Sequence, residues 1–244
     1  MLSKNEIKYI RSLQVKKHRD TEGKFIAEGH KWVEELLKSN SDWVERVYAT
    51  PQWEQPADKQ IASNMVQPIE SFEMEKITAL SNPTTVLAVV RIPNNKPAIA
   101  DTNKWNLLLD GIQDPGNLGS IIRIADWFGM QAIWCSEDCA DAYNPKVVQA
   151  TMGSLCRVQV NYTHLVSIIE TTDLPAYATA MEGKNIMSVM PSAGLLIIGS
   201  EGKGVRPELI DKATQKITIP RIGEAESLNV AVATGIIVSR LVWG

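Results

Sequence analysis

The sequence predicts an α/β protein in two parts, a small α/β unit followed by a larger one built on a parallel sheet. Three observations carry this. Short apolar runs alternate with helix-spaced amphipathic segments from Phe25 onward. The alternation breaks once, at PNNKPAIADTNK (93–104), which has no apolar period and reads as a linker. Beyond it, several runs are apolar at almost every position, as in strands buried on both faces of a parallel sheet. The expected domains are 1–92 and 105–244, joined by the linker 93–104.

The elements follow in order. FIAE (25–28) leads into HKWVEELLKS, where Trp32, Val33, Leu36 and Leu37 keep helical spacing. VERVYAT (44–50) predicts a strand, SFEMEKITAL (71–80) a helix and TTVLAVVRI (84–92) a strand. After the linker come the strand WNLLLD (105–110), the helix GNLGSIIRIADWFGM, the strand AIWC (132–135) and the helix NPKVVQATMG. CRVQV (156–160) predicts a strand, THLVSIIETT a helix, AYATA (176–180) a strand and LLIIGS (195–200) the most hydrophobic strand. RPELIDKAT is a short helix, KITIP (216–220) a strand, and a last apolar helix begins at Val230.

Composition narrows the function classes. No run approaches the ~20 apolar residues that span a bilayer. The polar start MLSKNEIKYIRSLQ holds no signal core, so a cytoplasmic protein is expected. Cys135, Cys139 and Cys156 have no paired spacing, and His18, His30 and His164 are scattered, so no disulfide frame and no metal site are expected. A net charge of -3 excludes a uniformly basic nucleic-acid binder. Residues 1–38 nevertheless hold nine Lys/Arg against six acids. Lys16, Lys17 and Arg19 concentrate that charge, either as a solvated surface or as a patch that steers a polyanion.

Three loops at strand ends stand out, where α/β sheets bind ligands. DGIQDPGNLGSIIRIADWFG has a turn at Asp114-Pro115-Gly116, with Asn117 placed to cap the helix and Arg123 nearly opposite its apolar face. LIIGSEGKGV lets backbone approach a ligand at Gly199, Gly202 and Gly204, but matches neither phosphate-loop pattern. In IPRIGEAESLNVAVATG, Ser227 is placed to cap the last helix, and Asn229 is a poor helix former within its first turn. Singly, each loop is explained by turn chemistry.

Together, in this order, the three resemble the motifs of the SpoU (TrmH-like) branch of the SPOUT methyltransferases. The resemblance covers about 105–244, and NPKVVQATMGSLCRVQV resembles the middle segment, with Gln149 where many members carry Arg. The first part resembles, more weakly, the small ribosomal-protein-like substrate-binding domain of many members. The resemblance implies a parallel-sheet SPOUT domain whose C-terminal segment threads a trefoil knot, a feature otherwise almost absent from proteins. It implies methyl transfer from S-adenosylmethionine to a ribose 2′-hydroxyl, in ribosomal rather than transfer RNA, by a homodimer built through the C-terminal domain and needing no metal. By the same resemblance Arg123, Asn117, Glu201, Ser227 and Asn229 form the catalytic set. Ile198, Gly199, Glu201, Gly202, Ile219, Leu228 and Asn229 contact the cofactor, with Gly199 and Gly202 leaving room for it. The implied general-base role of Arg123 competes with charge stabilisation, because a guanidinium resists deprotonation. Two further readings stay open: an RNA-binding protein on this fold without catalysis, and a small-molecule nucleotide enzyme of ordinary doubly wound fold.

Overall fold

The computed structural model describes residues 1–54, 64–96, 98–189 and 192–244; Pro97, in the expected linker, lies outside the described residues. The chain divides into two compact units. One comprises Met1–Asn94 and Asp141–Cys156, the other Asn95–Ala140 and Arg157–Gly244.

In the first unit, α1 (Lys4–Ser12) and α2 (Lys16–Glu22) precede β1 (Lys24–Glu28), α3 (His30–Ser39), β2 (Val44–Ala49), β3 (Val66–Pro68), α4 (Ser71–Ile77) and β4 (Val86–Arg91). The strands lie in the order β1-β4-β2-β3, antiparallel except for the β2–β3 pair. Leu2, Ile10 and Leu13, with Met74 and Ile77 of α4, pack on one sheet face against Ile26, Tyr48, Leu87 and Val89. The elements α1, α2 and β3 were not expected. Within α2 only Arg19 is buried, so it shows no apolar stripe to read, whereas the stripe of α1 is short, Ile10 with half-buried Ile7 and Tyr9. Helix α4 stops at Ile77, short of the expected 80. The cause is Glu28, whose buried carboxylate accepts the Thr78 hydroxyl and the Ala79 N–H (2.8 Å), holding the chain extended there.

Arg19 departs from its expected role. Its side chain is 2 % exposed and pairs with Asp141 at 2.5 Å, while Nη1 donates to the Leu13 carbonyl at 2.9 Å. A guanidinium buried and paired this way joins α2 to the 141–156 segment and is not presented to a phosphate. Lys16 pairs with Asp20 at 2.9 Å in the open, and Lys17 is exposed.

The second unit starts with β5 (Trp105–Asp110), α5 (Pro115–Trp127) and β6 (Ala132–Cys135). Helix α6 (Pro145–Thr151) belongs to the first unit, where the Val148 carbonyl accepts from Trp32 Nε1 at 2.7 Å. The second unit resumes with β7 (Gln159–Tyr162), α7 (Leu165–Glu170), β8 (Ala176–Asn185), β9 (Gly194–Gly199), α8 (Pro207–Lys212), β10 (Gln215–Thr218) and α9 (Val230–Trp243). Its six strands run in the order β10-β8-β9-β5-β6-β7, every pair parallel, as the alternation predicted. The strand expected at 156–160 lies three residues later, because residues 154–156 close a buried 3-10 turn. Among the described residues, no helix is long and apolar enough to cross a membrane.

All residues of β5 and β9 are buried. Leu108, Leu195 and Ile197 pack with Leu165 of α7 and Leu209 of α8. Alternation turns Leu107, Leu109, Leu196 and Ile198 to the other face, where α5 and α9 pack together. From β5 the chain winds outward through β6 to β7, then crosses to β8 and returns to β9. The winding reverses between β5 and β9, and the carboxyl ends of strands flanking such a reversal are where open α/β sheets place ligands.

Candidate active site

Asp110 and Gly199, the last residues of β5 and β9, are register partners, so the loops after them leave the sheet side by side. Asp114, not Asn117, caps α5: its Oδ1 accepts the Asn117 N–H at 2.8 Å, and Pro115 takes the first helical position. The Asn117 side chain is thereby left for another partner. Likewise Asn229, not Ser227, caps α9, its Oδ1 accepting from the N–H groups of Ala231 (3.0 Å) and Val232 (3.3 Å).

The freed amides meet at one carboxylate. Asn229 Nδ2 donates to Asn117 Oδ1 at 2.8 Å and to Glu201 Oε1 at 3.0 Å. Asn117 Nδ2 donates to the same Oε1 at 3.1 Å, and so does the Val230 N–H, also at 3.1 Å. Each of the three loops thus contributes one member. Glu201 lies at the N-terminus of α9, where a carboxylate is favoured by the helix dipole.

A second network, beneath the first, holds the 200–206 turn. The Arg206 N–H donates to Asp110 Oδ2 at 2.7 Å, and its Nε stands 3.2 Å from Asp110 Oδ1, an ion pair without hydrogen-bond geometry. Arg206 Nη2 donates to Asp138 Oδ1 at 2.5 Å. The Ser136 hydroxyl donates to Asp138 (2.7 Å) and accepts the Gly111 N–H (2.9 Å). Burial pushes the Asp110 carboxyl above the ordinary aspartate value, opposed by the Arg206 N–H and charge. The Ser136 hydrogen bond, then Arg206, holds Asp138 below it. Sequence reading missed this clamp. Its visible signal is Asp110 itself, a charge ending an otherwise apolar strand.

The glycines of the turn play different parts. A Cβ on Gly199 would stand 2.1 Å from the Gly204 carbonyl carbon and 2.2 Å from the Val205 nitrogen. Gly199 is therefore dictated by the chain folding back on it, through the Ser200–Gly204 bridge, and the expected reason, room for a ligand, is not needed. A Cβ on Gly202 meets nothing within 4 Å.

The Arg123 side chain is exposed and has no ion pair or hydrogen bond among the described residues. It lies six residues beyond Asn117, about 9 Å along the axis of α5 and on a different face, so it is not part of the Glu201 network. Ser227 is exposed two residues before the cap of α9. Ile198 is buried, Ile219 half-buried, Leu228 46 % exposed and Ile222 fully exposed. Among the described residues, no three His, Cys, Asp or Glu side chains gather as a metal site.

With this geometry in hand, comparison with known proteins is decisive. Residues 104–239 match the SpoU rRNA Methylase family, and residues 4–88 match the MRM3-like substrate binding domain. The chain belongs to the SpoU rRNA methylase family. It is 33 % identical, over 98 % of its length and 97 % of the relative's, to the 23S rRNA (guanosine(2553)-2′-O)-methyltransferase RlmP of Bacillus subtilis. Among solved structures it resembles a protein assigned to the TrmH family of RNA methyltransferases from Porphyromonas gingivalis (TM-score 0.85, 36 % identity, 98 % of both chains). An AdoMet-bound rRNA methyltransferase from Sinorhizobium meliloti is similar as well (TM-score 0.86, 31 % identity, 98 % of this chain and 95 % of that one). The SpoU match spans the parallel sheet with all three loops, and the small first unit carries the substrate-binding match, as the motif resemblance implied.

Proposed function

We propose that the protein transfers a methyl group from S-adenosylmethionine to a ribose 2′-hydroxyl of ribosomal RNA. The observation that carries this is the Glu201 network, in which side chains from three separate loops converge at the β5/β9 switch point. Its support from outside is the pair of rRNA methyltransferases named above, one of them bound to AdoMet. Residues 1–92 are assigned to RNA binding and 105–244 to the reaction, with the C-terminal segment threading the family's trefoil knot. The expected setting is the cytoplasm.

The site has the character such a cofactor needs. The open backbone at Gly202 lets a bent ligand approach, and exposed Leu228 offers an apolar surface to an adenine ring. Ile198, Gly199 and Ile219 line the strand-end side of the same loops. When bound, S-adenosylmethionine would supply an electrophilic methyl carbon on a sulfonium leaving group for the ribose oxygen. The remaining work belongs to the chain. Asn117, Glu201 and Asn229 fix the loops relative to one another. The Ser227 hydroxyl can orient the ribose. The Arg123 guanidinium can stabilise negative charge developing on the 2′-oxygen as its proton passes to solvent, a role suited to a preorganised cation.

Arg123 reaches a ribose through a second copy of the chain in this reading. α9 buries Val230, Ile237, Val238 and Leu241 but leaves Val232, Ile236 and Trp243 exposed along one stripe, near exposed Trp127 of α5. Phe128 and Trp243 pack at this edge with ring centroids 4.9 Å apart and planes tilted by 58°. An apolar stripe next to the candidate site fits a homodimer that shares catalytic groups. A monomeric mass for the active enzyme in ultracentrifugation would remove the dimer.

The deciding experiment pairs calorimetric binding of S-adenosylmethionine with mapping of 2′-O-methyl groups in cellular RNA with and without the gene. Binding together with one lost ribosomal mark is the expected result. A lost transfer-RNA mark would move the substrate, and binding of RNA without any transfer would favour the inactive alternative.

A further inference from the structure

We infer that the outward face of α1, formed by Lys4, Lys8 and Arg11, is the track along which the first unit holds the phosphate backbone of its RNA substrate. The inference rests on the RNA-methyltransferase reading above and assigns the substrate a place on the protein.

The three cations sit four and three residues apart, so they share one face of the helix. Ile10 marks the opposite face, which packs into the core with Leu2 and Leu13 on either side. Lys4, Lys8 and Arg11 are all exposed, and none has an acidic partner among the described residues. Four other cations of this unit do have one: Lys16 with Asp20, Arg19 with Asp141, Lys24 and Arg91 with Glu45. The one acid of α1, Glu6, is turned away, capping the helix through Ser3 and accepting from Gln67. The stripe is also unfavourable for the isolated helix. Lys4 places a cation at the positive end of the helix dipole, and Lys4 and Lys8 repel across one turn. Glu6 in the first turn offsets part of this, and a polyanion lying along the helix meets a cation at every turn.

A neighbouring feature narrows the polyanion to RNA with unpaired bases. α4 lies beside α1 on the same sheet face: the Leu2 N–H donates to Glu73, and Gln14 Nε2 donates to the Thr78 carbonyl at 3.1 Å. On the outer side of α4, Phe72 is 47 % exposed, with Lys76 Nζ 4.9 Å from its ring centroid. An exposed ring beside a cation is the kind of surface on which single-stranded bases stack while their phosphates are held nearby. The cluster expected from sequence at Lys16, Lys17 and Arg19 is the weaker candidate, since two of its three charges are already paired.

The test uses the full-length protein and a labelled transcript of a 23S rRNA fragment, with affinity measured across a salt series. Lys4→Gln, Lys8→Gln and Arg11→Gln combined should flatten the slope of log affinity against log salt by about 2, at ~0.7 per single-strand phosphate contact. Phe72→Ala should weaken binding about 5-fold or more without changing the slope. Calorimetric affinity for S-adenosylmethionine should stay at the parent value in both variants, which also reports that the second unit is intact; circular dichroism melting reports the first. A parental slope in the triple variant overturns the inference while leaving the methyltransferase reading in place. So does an equal slope loss from Lys16→Gln with Lys17→Gln, or a preference for phosphatidylglycerol vesicles over the transcript. A parent protein that binds neither S-adenosylmethionine nor the transcript overturns both.

Discussion

The residues that the motifs single out fall into two groups that behave oppositely. Asn117, Glu201 and Asn229 are bound to one another, and Asn229 is also committed to capping α9. Arg123, Ser227 and Leu228 stand exposed, with no side-chain hydrogen bond among the described residues. The bound group holds three loops together through Glu201 Oε1, while Oε2 of the exposed Glu201 accepts none of these bonds. The open group has no work inside the fold, and its chemistry is available to ligands. The difference separates architecture from reaction within motifs that look uniform in sequence.

The sharpest way to break that division is Arg123. Arg123→Ala should lower methyl transfer at saturating RNA by roughly 100-fold or more, the scale of losing one preorganised charge-stabilising group. Its melting temperature should barely move, since it leaves no cavity and breaks no bond. Arg123→Lys sharpens the point: recovery of most activity marks simple charge stabilisation, and no recovery marks a need for the planar fork. Near-normal transfer by the alanine variant would remove Arg123 from the reaction.

The glycines set the same contrast on the backbone. Gly199→Ala should destabilise the protein by about 3 kcal/mol, at the upper end for overpacking, because the atoms it meets are main chain. Gly202→Leu should unfold at the parental denaturant midpoint yet bind S-adenosylmethionine more weakly. If Gly202→Leu binds the cofactor normally, the ligand does not approach that turn.

Smaller effects test the bound group. Arg206→Ala removes the charge beside buried Asp110 and should destabilise by ~1–3 kcal/mol, the retained backbone N–H to Asp110 keeping the loss in that range. Asn229→Ala should cost about 1 kcal/mol as a lost helix cap, and Ser227→Ala less than ~0.5 kcal/mol, both read from urea denaturation. Equal losses at Asn229 and Ser227 would erase the distinction between them.

Much of this was legible in the chain. WNLLLD and AIWC match β5 and β6 residue for residue, and HKWVEELLKS matches α3, because strong apolar periodicity is a local property. α2 was not legible, since the one residue it buries is Arg19, and α1 was missed because its apolar pair, Ile7 and Ile10, is short and set in a polar run. The capping roles were displaced by a few residues in both loops. Asp114 and Asn117, like Ser227 and Asn229, are interchangeable by propensity, and only the chain path chooses between them.

The sequence alone determined the alternation of strands and helices, the break near residue 93, the apolar pair of central strands and the three loops that carry polar side chains. These are patterns over a few neighbouring residues, and the hydrophobic effect acts on them wherever the segment ends up. Only the tertiary structure decided which of those side chains touch. Strand order brought Asp110 beside Gly199, and with it residues 117, 201 and 229 to one carboxylate oxygen. It also took Arg19 out of solvent by setting Asp141 against it, 122 positions along the chain. Hydrogen bonds and ion pairs act over about 3 Å, so contacts between residues a hundred positions apart depend on strand order and leave no local pattern to read.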